Sequence, residues 1–496
     1  MLAAPHRGRR CSTRTLFALF IAFLITSFWL LDVHSQPPNL PVHLPTSLDD
    51  SYPAYPSPEL KVFWSDLLNE LVGAKPLAGP VQVIGRPRDE DMDPNKPYTD
   101  GSQPTDIIRI NDSDREGLQN AHERFAAAVG HLAPRMPYKK RSRGIVMTAG
   151  GRYIGMAITS LLMLRRTGSN LPVELFLDSA EDYNHHLCDE RLPKLNARCL
   201  IMDDVFSSTP DMPKLEKFQF KVFSIIFSEF SDILFLDADA FPIHSPDYLF
   251  DNNPYKSYGL VTWPDLWMPT VSPVFYDLAN LTAPPLKSRR SSESGIMMYD
   301  KSRHAESIIL ASYYNFYGPH YYYPLFSQGA HGEGDKETFL HSAAVLGKPF
   351  YDVKTPMGFL GRWIKGDFRT AGMKQADPVE DYNLQLLKRN KGQANKEEKD
   401  GKNEKRARWL FLHHNIVKLD LRKMDDPVDT VSELNENGKL MRMWGDDNKL
   451  IEMSGYDVEK VMWEEIIKAN CETSYFEQCE RLREFYTSVF TPPPSE

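Results

Sequence analysis

Short apolar runs alternate with segments of helical periodicity over the middle of the chain. Four of these runs have the length and composition of buried strands. Apolar positions at helical spacing lie between them, up to about Arg166 and again from about Lys214 to Phe227. Strands that alternate with helices in this way predict an α/β fold, a mostly parallel sheet with flanking helices. The four predicted strands are residues 145–148, 171–177, 199–202 and 233–236.

Further elements are predicted on both sides of this region. Ser113 and Glu116 have the spacing of a capping box, and the apolar positions after them recur at helical spacing, which predicts a helix start. Residues 388–408 contain no large apolar residue and are predicted to form a flexible insert. The pattern also predicts strands at 259–262, 296–299 and 409–412 and a helix at about 306–314.

The N-terminal region is predicted to contain a membrane anchor. Residues 15–31 are 17 consecutive uncharged residues, which is at the short limit for a helix that spans a bilayer. Arginines precede this run and none follows it directly, so the N-terminus is expected in the cytosol. A cleaved signal peptide is the alternative, but the run ends in bulky residues and not in small ones. We therefore predict a cytosolic tail (1–14), a signal anchor (15–31), a stem and lead-in (32–104) and a lumenal domain (105–496).

Charge and cysteine content agree with a lumenal protein that does not bind nucleic acid. Without the four leader arginines, the chain carries 54 basic and 67 acidic residues, whereas nucleic-acid binders cluster positive charge. Four cysteines follow the anchor, and their simplest pairing is Cys188 with Cys199 and Cys471 with Cys479; two other pairings, or free thiols, remain open. Asn111 and Asn280 lie in glycosylation sequons.

Two carboxylates mark the strongest chemical signal in the chain. Asp237 and Asp239 follow an apolar strand directly, one residue apart, and Phe-Pro comes soon after. Ligands of parallel α/β sheets bind at the carboxyl ends of strands. Two carboxylates at such a place can hold Mg²⁺ or Mn²⁺, which neutralises a nucleotide diphosphate. A turn in which the aspartates only cap backbone amides is the structural alternative.

The segment 218–242 resembles the donor-site segment of GT-A glycosyltransferases. Together with further motifs it resembles the fungal α-mannosyltransferases that branch mannan, over roughly residues 105–420. The resemblance implies a type II Golgi membrane enzyme that adds α-1,2- or α-1,3-linked mannose from GDP-mannose, with Mn²⁺ or Mg²⁺. The accompanying motifs are residues 143–151, 171–175, 292–295, 300–301 and 334–339.

The same resemblance assigns roles to individual residues. It implies that Asp237 and Asp239 bind the metal and that His413 or His414 supplies a third ligand. Asp335 and Glu293 are expected on the sugar side as catalytic candidates. The residues expected to bind the nucleotide or its diphosphate are Ala149, Gly150, Gly151, Lys221 and Lys418.

The sequence therefore predicts a metal-dependent retaining α-mannosyltransferase. Its expected partners are the nucleotide sugar, a mannose oligosaccharide acceptor, the Golgi membrane and, as a further possibility, other Golgi transferases. Two alternatives stay open at this stage. The first is a UDP-sugar transferase on the same fold, because no residue identifies the base. The second is a non-catalytic lumenal protein that binds glycans, although such a protein would not need two adjacent carboxylates.

Overall fold

The computed structural model describes residues 55–93, 105–209, 212–394, 406–419, 433–434, 438–445, 448–471 and 479–491. The predicted tail and anchor lie outside these residues, and so do residues 32–54 and 94–104 of the predicted stem and lead-in. Among the described helices, none is both long enough and apolar enough to cross a membrane.

Fifteen strands and fifteen α-helices are described and are numbered here in chain order. The strands are β1 Gln82–Val83, β2 Ile108–Arg109, β3 Lys139–Ala149, β4 Val173–Leu177, β5 Ala197–Ile201, β6 Phe230–Asp237, β7 Ala240–Pro242, β8 Leu260–Pro264, β9 Ser292–Asp300, β10 Tyr351–Asp352, β11 Gly358–Ile364, β12 Asp367–Ala376, β13 Trp409–His413, β14 Glu433–Leu434 and β15 Leu440–Met441. The helices are α1 Pro58–Gly73, α2 Asp89–Met92, α3 Asp112–Leu132, α4 Ile154–Arg166, α5 Asp203–Phe206, α6 Gln219–Phe227, α7 Tyr255–Tyr258, α8 Pro273–Leu278, α9 Lys301–Phe316, α10 Tyr323–Ser327, α11 Thr338–Val345, α12 Pro378–Ala394, α13 Asn448–Ser454, α14 Val458–Cys471 and α15 Cys479–Phe490.

A seven-stranded sheet forms the centre of the fold, in the order β10-β8-β9-β6-β3-β4-β5. All neighbours in this sheet are parallel except those of β9, which runs antiparallel to both β6 and β8. The prediction of an α/β fold with a mostly parallel sheet is therefore confirmed. Since β8 and β6 are both antiparallel to β9, they point the same way and end at the same edge.

A second, four-stranded antiparallel sheet has the order β11-β12-β13-β7. Its edge strand β7 begins only three residues after β6 ends. The turn between β6 and β7 therefore joins the two sheets. Asp237 and Asp239, which together form a D-x-D sequence, lie at this junction.

Apolar side chains form a core on each face of the central sheet. One core contains apolar residues of α4 together with those of α14 and α15, so the C-terminal segment is part of the same fold. The other contains α6 and α9 and also six residues of α1. Helix α1 lies within the predicted stem. Its buried residues recur at helical spacing, a signal within residues 32–104 that the prediction of a stem did not use.

Several element boundaries differ from the predictions. Helix α3 begins after Asn111, whose side chain accepts a hydrogen bond from the backbone N–H of Asp114, so the predicted cap at Ser113 is two residues too late. Helix α6 begins at Gln219, five residues after the predicted start. The predicted flexible insert overlaps α12, which continues to residue 394, while residues 395–405 lie outside the described ones.

Candidate active site

The D-x-D sequence leaves the central sheet at the end of β6. Every residue of this strand except Asp232 and Asp237 is buried, so the strand is fixed between the two cores. The backbone then turns into β7, and this turn brings both carboxylates to one site. The side chain of Asp237 keeps 27% exposure, whereas that of Asp239 keeps 4%. Asp237 is thus the carboxylate that is more open to a ligand.

Strand β13 brings a histidine to the two aspartates. It pairs with β7 so that His413 lies opposite Ala240, next to Asp239. The His413 Nε2 atom lies 3.1 Å from Asp239 Oδ1 and 3.9 Å from Asp237 Oδ2. One imidazole nitrogen therefore faces both carboxylates of the D-x-D sequence.

The other nitrogen of the same ring faces Glu293 on β9. Nδ1 of His413 lies 3.1 Å from Glu293 Oε1. Ligand atoms of Asp237, Glu293 and His413 can all lie within 4.8 Å of one another, which is close enough to hold one metal ion. Gly295 makes this close approach possible. A Cβ built there would lie 2.4 Å from His413 Cε1, 2.7 Å from Glu293 Oε1 and 2.9 Å from Asp237 Oδ2.

The charges of this cluster are strongly coupled. Burial alone would lower the pKa of His413, but Glu293 and Asp239 outweigh it and raise this pKa to about 10. Burial likewise opposes ionisation of Glu293, but His413 lowers its pKa to about 2. The pKa of Asp239 lies well below its usual value, because Lys418 and His413 outweigh the effect of burial. Without a bound ion, His413 is thus protonated between the ionised carboxylates of Glu293 and Asp239.

Two lysines contact the carboxylates from different sides. Lys221 on α6 is buried, and its Nζ lies 3.1 Å from Asp237 Oδ1, 3.3 Å from Asp335 Oδ2 and 2.9 Å from the carbonyl oxygen of Ser294. Lys418 forms a short ion pair with Asp239, yet its side chain is 41% exposed. Lys221 is therefore enclosed by protein partners, whereas Lys418 can reach the open side of the site.

Asp335 lies beside Lys221 and Ser294, in the turn that precedes α11. It does not cap this helix, because the N-cap residue is Glu337. Its Oδ1 accepts a hydrogen bond of 3.1 Å from Ser294 Oγ, and Lys221 contacts its Oδ2. Burial raises the pKa of Asp335 to about 6, even though Lys221 acts in the opposite direction.

The two residues after Asp335 point in other directions. Lys336 Nζ donates a hydrogen bond of 2.8 Å to Asp265 Oδ2. Glu337 is fully buried and accepts hydrogen bonds from the backbone N–H of Ser292 and from Ser291 Oγ, and it also pairs with Arg289. Glu337 therefore anchors the start of β9, the strand that carries Glu293.

The predicted nucleotide loop lies at the same edge of the central sheet as the D-x-D sequence. Thr148 is the register partner of Asp237, so Ala149, Gly150 and Gly151 follow just beyond it. Ala149 is buried, and Gly151 has a left-handed φ of 50°.

Two carboxylates that the sequence analysis did not single out lie beside this loop. The backbone N–H of Gly151 donates to Asp182 Oδ1 at 2.7 Å. A Cβ at Gly150 would come within 2.6 Å of Asp178 Oδ2. Burial and nearby carboxylates raise the pKa of Asp178 to about 6. Asp178 directly follows β4, so its position at a strand end was a signal that could have indicated it.

The structure does not bring His414 to the cluster. Its ring is fully buried and stacks on Trp444 at 5.3 Å and on Phe241 at 6.3 Å. Burial lowers the pKa of His414 to about 3. The reason for the difference from His413 is local: consecutive side chains of an extended segment point to opposite sides. Of the two predicted histidine ligands, only His413 is placed to bind a metal.

A cavity of about 520 Å³ extends from this cluster to a second group of polar residues. Its first end is lined by Asp237, Glu293, His413 and both lysines, and its second end by Asp265, Trp267, His331 and Lys336. Asp335 and Ser294 also line the cavity, and Asp335 contacts Lys221 of the first end and directly precedes Lys336 of the second. The cavity therefore has room for more than the metal and a phosphate group.

Disulfides join Cys188 to Cys199 and Cys471 to Cys479, each with a Cα–Cα distance of 5.5 Å. The first links the segment before β5 to β5 itself, and the second links α14 to α15. Both sequon asparagines, Asn111 and Asn280, are exposed.

Comparisons with known proteins relate this chain to a family. A model of a mannosyltransferase family matches residues 142–290 and 286–377. The α-1,2-mannosyltransferase MNN2 of Saccharomyces cerevisiae is 30% identical over an aligned length of 417 residues. The match covers 71% of this chain and 68% of that protein. The chain belongs to this family of fungal mannosyltransferases.

Other members of the mannosyltransferase family are matched over less of their length. The α-1,2-mannosyltransferases MNN21 and MNN24 of Candida albicans are 34% and 33% identical over 72% and 71% of this chain. The chain spans only 62% and 58% of those two proteins. Among solved structures, the galactosyltransferase LgtC with donor and acceptor analogues aligns over 43% of this chain and 73% of that chain, at 13% identity and a TM-score of 0.28. That likeness is too weak for residues to be compared.

Proposed function

We propose that this chain is a metal-dependent retaining α-mannosyltransferase with a GT-A fold. It would transfer mannose from GDP-mannose to mannose residues of cell-wall or glycoprotein mannan, and the names of its relatives favour an α-1,2 linkage. The observation that carries the proposal is that His413 Nε2 faces both carboxylates of the D-x-D sequence at the carboxyl edge of the central sheet.

The residues at this place fit Mn²⁺ or Mg²⁺. Asp237, Asp239 and the Nε2 atom of His413 offer two oxygens and one nitrogen, a donor set that suits Mn²⁺ and accepts Mg²⁺. A bound divalent cation supplies charge neutralisation to the leaving diphosphate. Glu293, opposite Nδ1, would orient the imidazole as carboxylates commonly do for metal-ligating histidines. Because Glu293 faces Nδ1 and the metal would be bound through Nε2, Glu293 is in this proposal neither a metal ligand nor the sugar-side residue that the sequence predicts.

Lys418 and the glycine loop would hold the rest of the nucleotide sugar. Lys418 is exposed enough to pair with the diphosphate, whereas Lys221 would position Asp237 and Asp335 without meeting the nucleotide. The loop of Ala149, Gly150 and Gly151, with Asp178 and Asp182 beside it, would receive the nucleoside. In this arrangement the donor would lie along one edge of the sheet, where ligands of α/β folds bind.

Asp335 is the carboxylate assigned to the transferred sugar. Retention of configuration needs either a carboxylate that forms a covalent intermediate or departure and attack on the same face of the sugar. Asp335 is held by Ser294 and Lys221 and lines the cavity. It would bind the sugar or stabilise the positive charge that develops on it, and we do not assign it as a nucleophile.

The proposed location is the Golgi lumen, with the chain anchored through residues 15–31. The uncharged run, the arginines before it and the two exposed sequon asparagines support this topology. Full-length protein should therefore stay in the pellet after carbonate extraction, and its body should resist protease in sealed vesicles.

A donor screen tests the proposed activity. Purified protein with Mn²⁺ and an α-linked mannotriose should transfer mannose from GDP-mannose, and should not transfer sugar from UDP-galactose or UDP-GlcNAc. Asp237→Ala should reduce transfer on the order of a thousandfold, since several kcal/mol of transition-state stabilisation are lost. Turnover of the UDP-sugars alone, or full activity in excess chelator, would contradict the proposal.

A further inference from the structure

The second end of the cavity holds a buried ion pair that the proposed donor site does not use. Asp265 and Lys336 are 8% and 9% exposed, and Lys336 Nζ lies 2.8 Å from Asp265 Oδ2. Asp265 directly follows β8, which ends at the same sheet edge as β6. The pair is therefore built into the same edge as the D-x-D sequence.

Both members of this pair keep hydrogen-bonding capacity toward the cavity. In the described structure, Lys336 Nζ donates to Asp265 and, at 3.2 Å, to the carbonyl oxygen of His331, which leaves one of its three hydrogens. Each carboxylate oxygen of Asp265 takes part in one hydrogen bond, the one to Oδ1 coming from the backbone N–H of Leu266 at 2.7 Å. Each oxygen can accept one more. A donor and two acceptors side by side suit the adjacent hydroxyl groups of a sugar.

An aromatic side chain lies next to this pair. Trp267 lines the cavity, is half-buried, and stacks on His331 with ring centroids 5.5 Å apart and an interplanar angle of 17°. Aromatic rings pack against apolar surfaces, and the C–H face of a pyranose is such a surface. An aromatic ring beside a charged pair thus offers a surface for the C–H face of a sugar and hydrogen-bonding partners for its hydroxyl groups.

We propose that Asp265, Trp267 and Lys336 form the subsite for the terminal mannose of the acceptor. This inference rests on the proposed function for the position of the donor. Asp335, the residue assigned to the transferred sugar, lines the same cavity and directly precedes Lys336, which contacts Asp265. An acceptor at the second end would therefore lie next to the sugar of the donor. The acceptor hydroxyl must come within about 3–3.5 Å of the anomeric carbon, so the two sugars must share one continuous space.

Calorimetric titration with α-linked mannotriose, in the presence of GDP and Mn²⁺, tests the subsite directly. The wild-type protein should bind mannotriose and should bind maltotriose more weakly. Trp267→Leu and Asp265→Asn should each weaken mannotriose binding at least tenfold while the affinity for GDP stays the same. Trp363→Leu is the matched control, because Trp363 is 69% exposed on β11 and does not line the cavity. Thermal unfolding of each variant reports whether it is folded.

The outcomes separate this inference from the proposed function. Unchanged mannotriose affinity in folded Trp267→Leu and Asp265→Asn proteins would overturn the subsite, and so would a wild-type protein that binds no mannotriose. Loss of GDP affinity together with mannotriose affinity would also overturn it, because the second end would then serve the donor. GDP-mannose turnover in the same wild-type sample tests the proposed function separately.

Discussion

Replacing Gly295 by alanine is the most specific perturbation that the site offers. The added methyl carbon would lie 2.4 Å from His413 Cε1, 2.7 Å from Glu293 Oε1 and 2.9 Å from Asp237 Oδ2. Gly295 does not have a left-handed φ, so alanine is compatible with its backbone conformation. The substitution therefore acts on the cluster of Asp237, Glu293 and His413 through space and not through backbone strain.

The size of the expected loss in transfer rate follows from these distances. Ordinary van der Waals contact begins at 3.4 Å, so the His413 ring would have to retreat by about 1 Å. A displacement of this size at a catalytic constellation costs on the order of a hundredfold in rate, or about 3 kcal/mol of transition-state stabilisation. Overpacking a buried site also costs about 1–3 kcal/mol of folding stability. We expect weaker Mn²⁺ binding and about a hundredfold slower transfer by a protein that is still folded.

The assay combines calorimetric titration of Mn²⁺ in the presence of GDP with initial transfer rates at saturating metal. Gly130→Ala is the control, because Gly130 lies on the exposed side of α3 and a Cβ there meets no atom within 4 Å. That variant should keep wild-type rates and gain roughly 0.5–1 kcal/mol of stability from the better helix former. A Gly295→Ala protein with wild-type Mn²⁺ affinity and rate would refute the geometry assigned to the cluster.

Three further predictions concern single residues. His413→Ala should weaken Mn²⁺ binding and slow transfer at least a hundredfold. His414→Ala should lower the unfolding temperature and keep the metal dependence of the wild type. Equal Mn²⁺ affinities of the two variants would contradict this. Asp335→Asn should keep GDP-mannose binding and lose transfer, and unchanged transfer would remove Asp335 from the site. Burial raises the pKa of Glu459 from 4.5 to about 7. The folded protein therefore keeps a proton that the unfolded chain releases, and stability should fall by about 3 kcal/mol as the pH rises from 4.5 to 7. Glu459→Gln should lack this fall in urea unfolding at a series of pH values, and an equal fall in both proteins would contradict the reasoning.

The sheet and its principal carboxylates were predictable because both follow from local patterns. A buried strand requires consecutive apolar residues, and a ligand at its end requires polar side chains directly after it. The segment 233–236 followed by Asp237 and Asp239 meets both requirements. The apolar positions of α1 also recur at helical spacing, which predicts a helix with one buried face. The partners of that face, helices such as α3 and α5, are distant in sequence and were not predictable in this way.

Sequence spacing could not choose between His413 and His414. The choice depends on strand pairing, because β13 pairs with β7 in a register that places His413 opposite Ala240. A shift of one residue would turn His414 toward the aspartates and His413 away from them. Sequence motifs carry no information about that register. The contact between Glu293 and His413 was not predictable for the same reason, since it depends on which nitrogen of His413 faces β9.

The sequence Asp335-Lys336-Glu337 gives the clearest limit of reasoning from motifs. In a strand, the first and third of these side chains would share one face, and in a helix they would lie about 200° apart. The structure instead places all three in the turn before α11, where no regular period applies. Each side chain therefore has a different partner: Asp335 contacts Lys221, Lys336 contacts Asp265, and Glu337 holds the start of β9. These contacts place one residue beside the metal cluster, one at the second end of the cavity and one in the support of β9. A motif read as one unit cannot separate those positions, because they are set by the tertiary contacts of the turn.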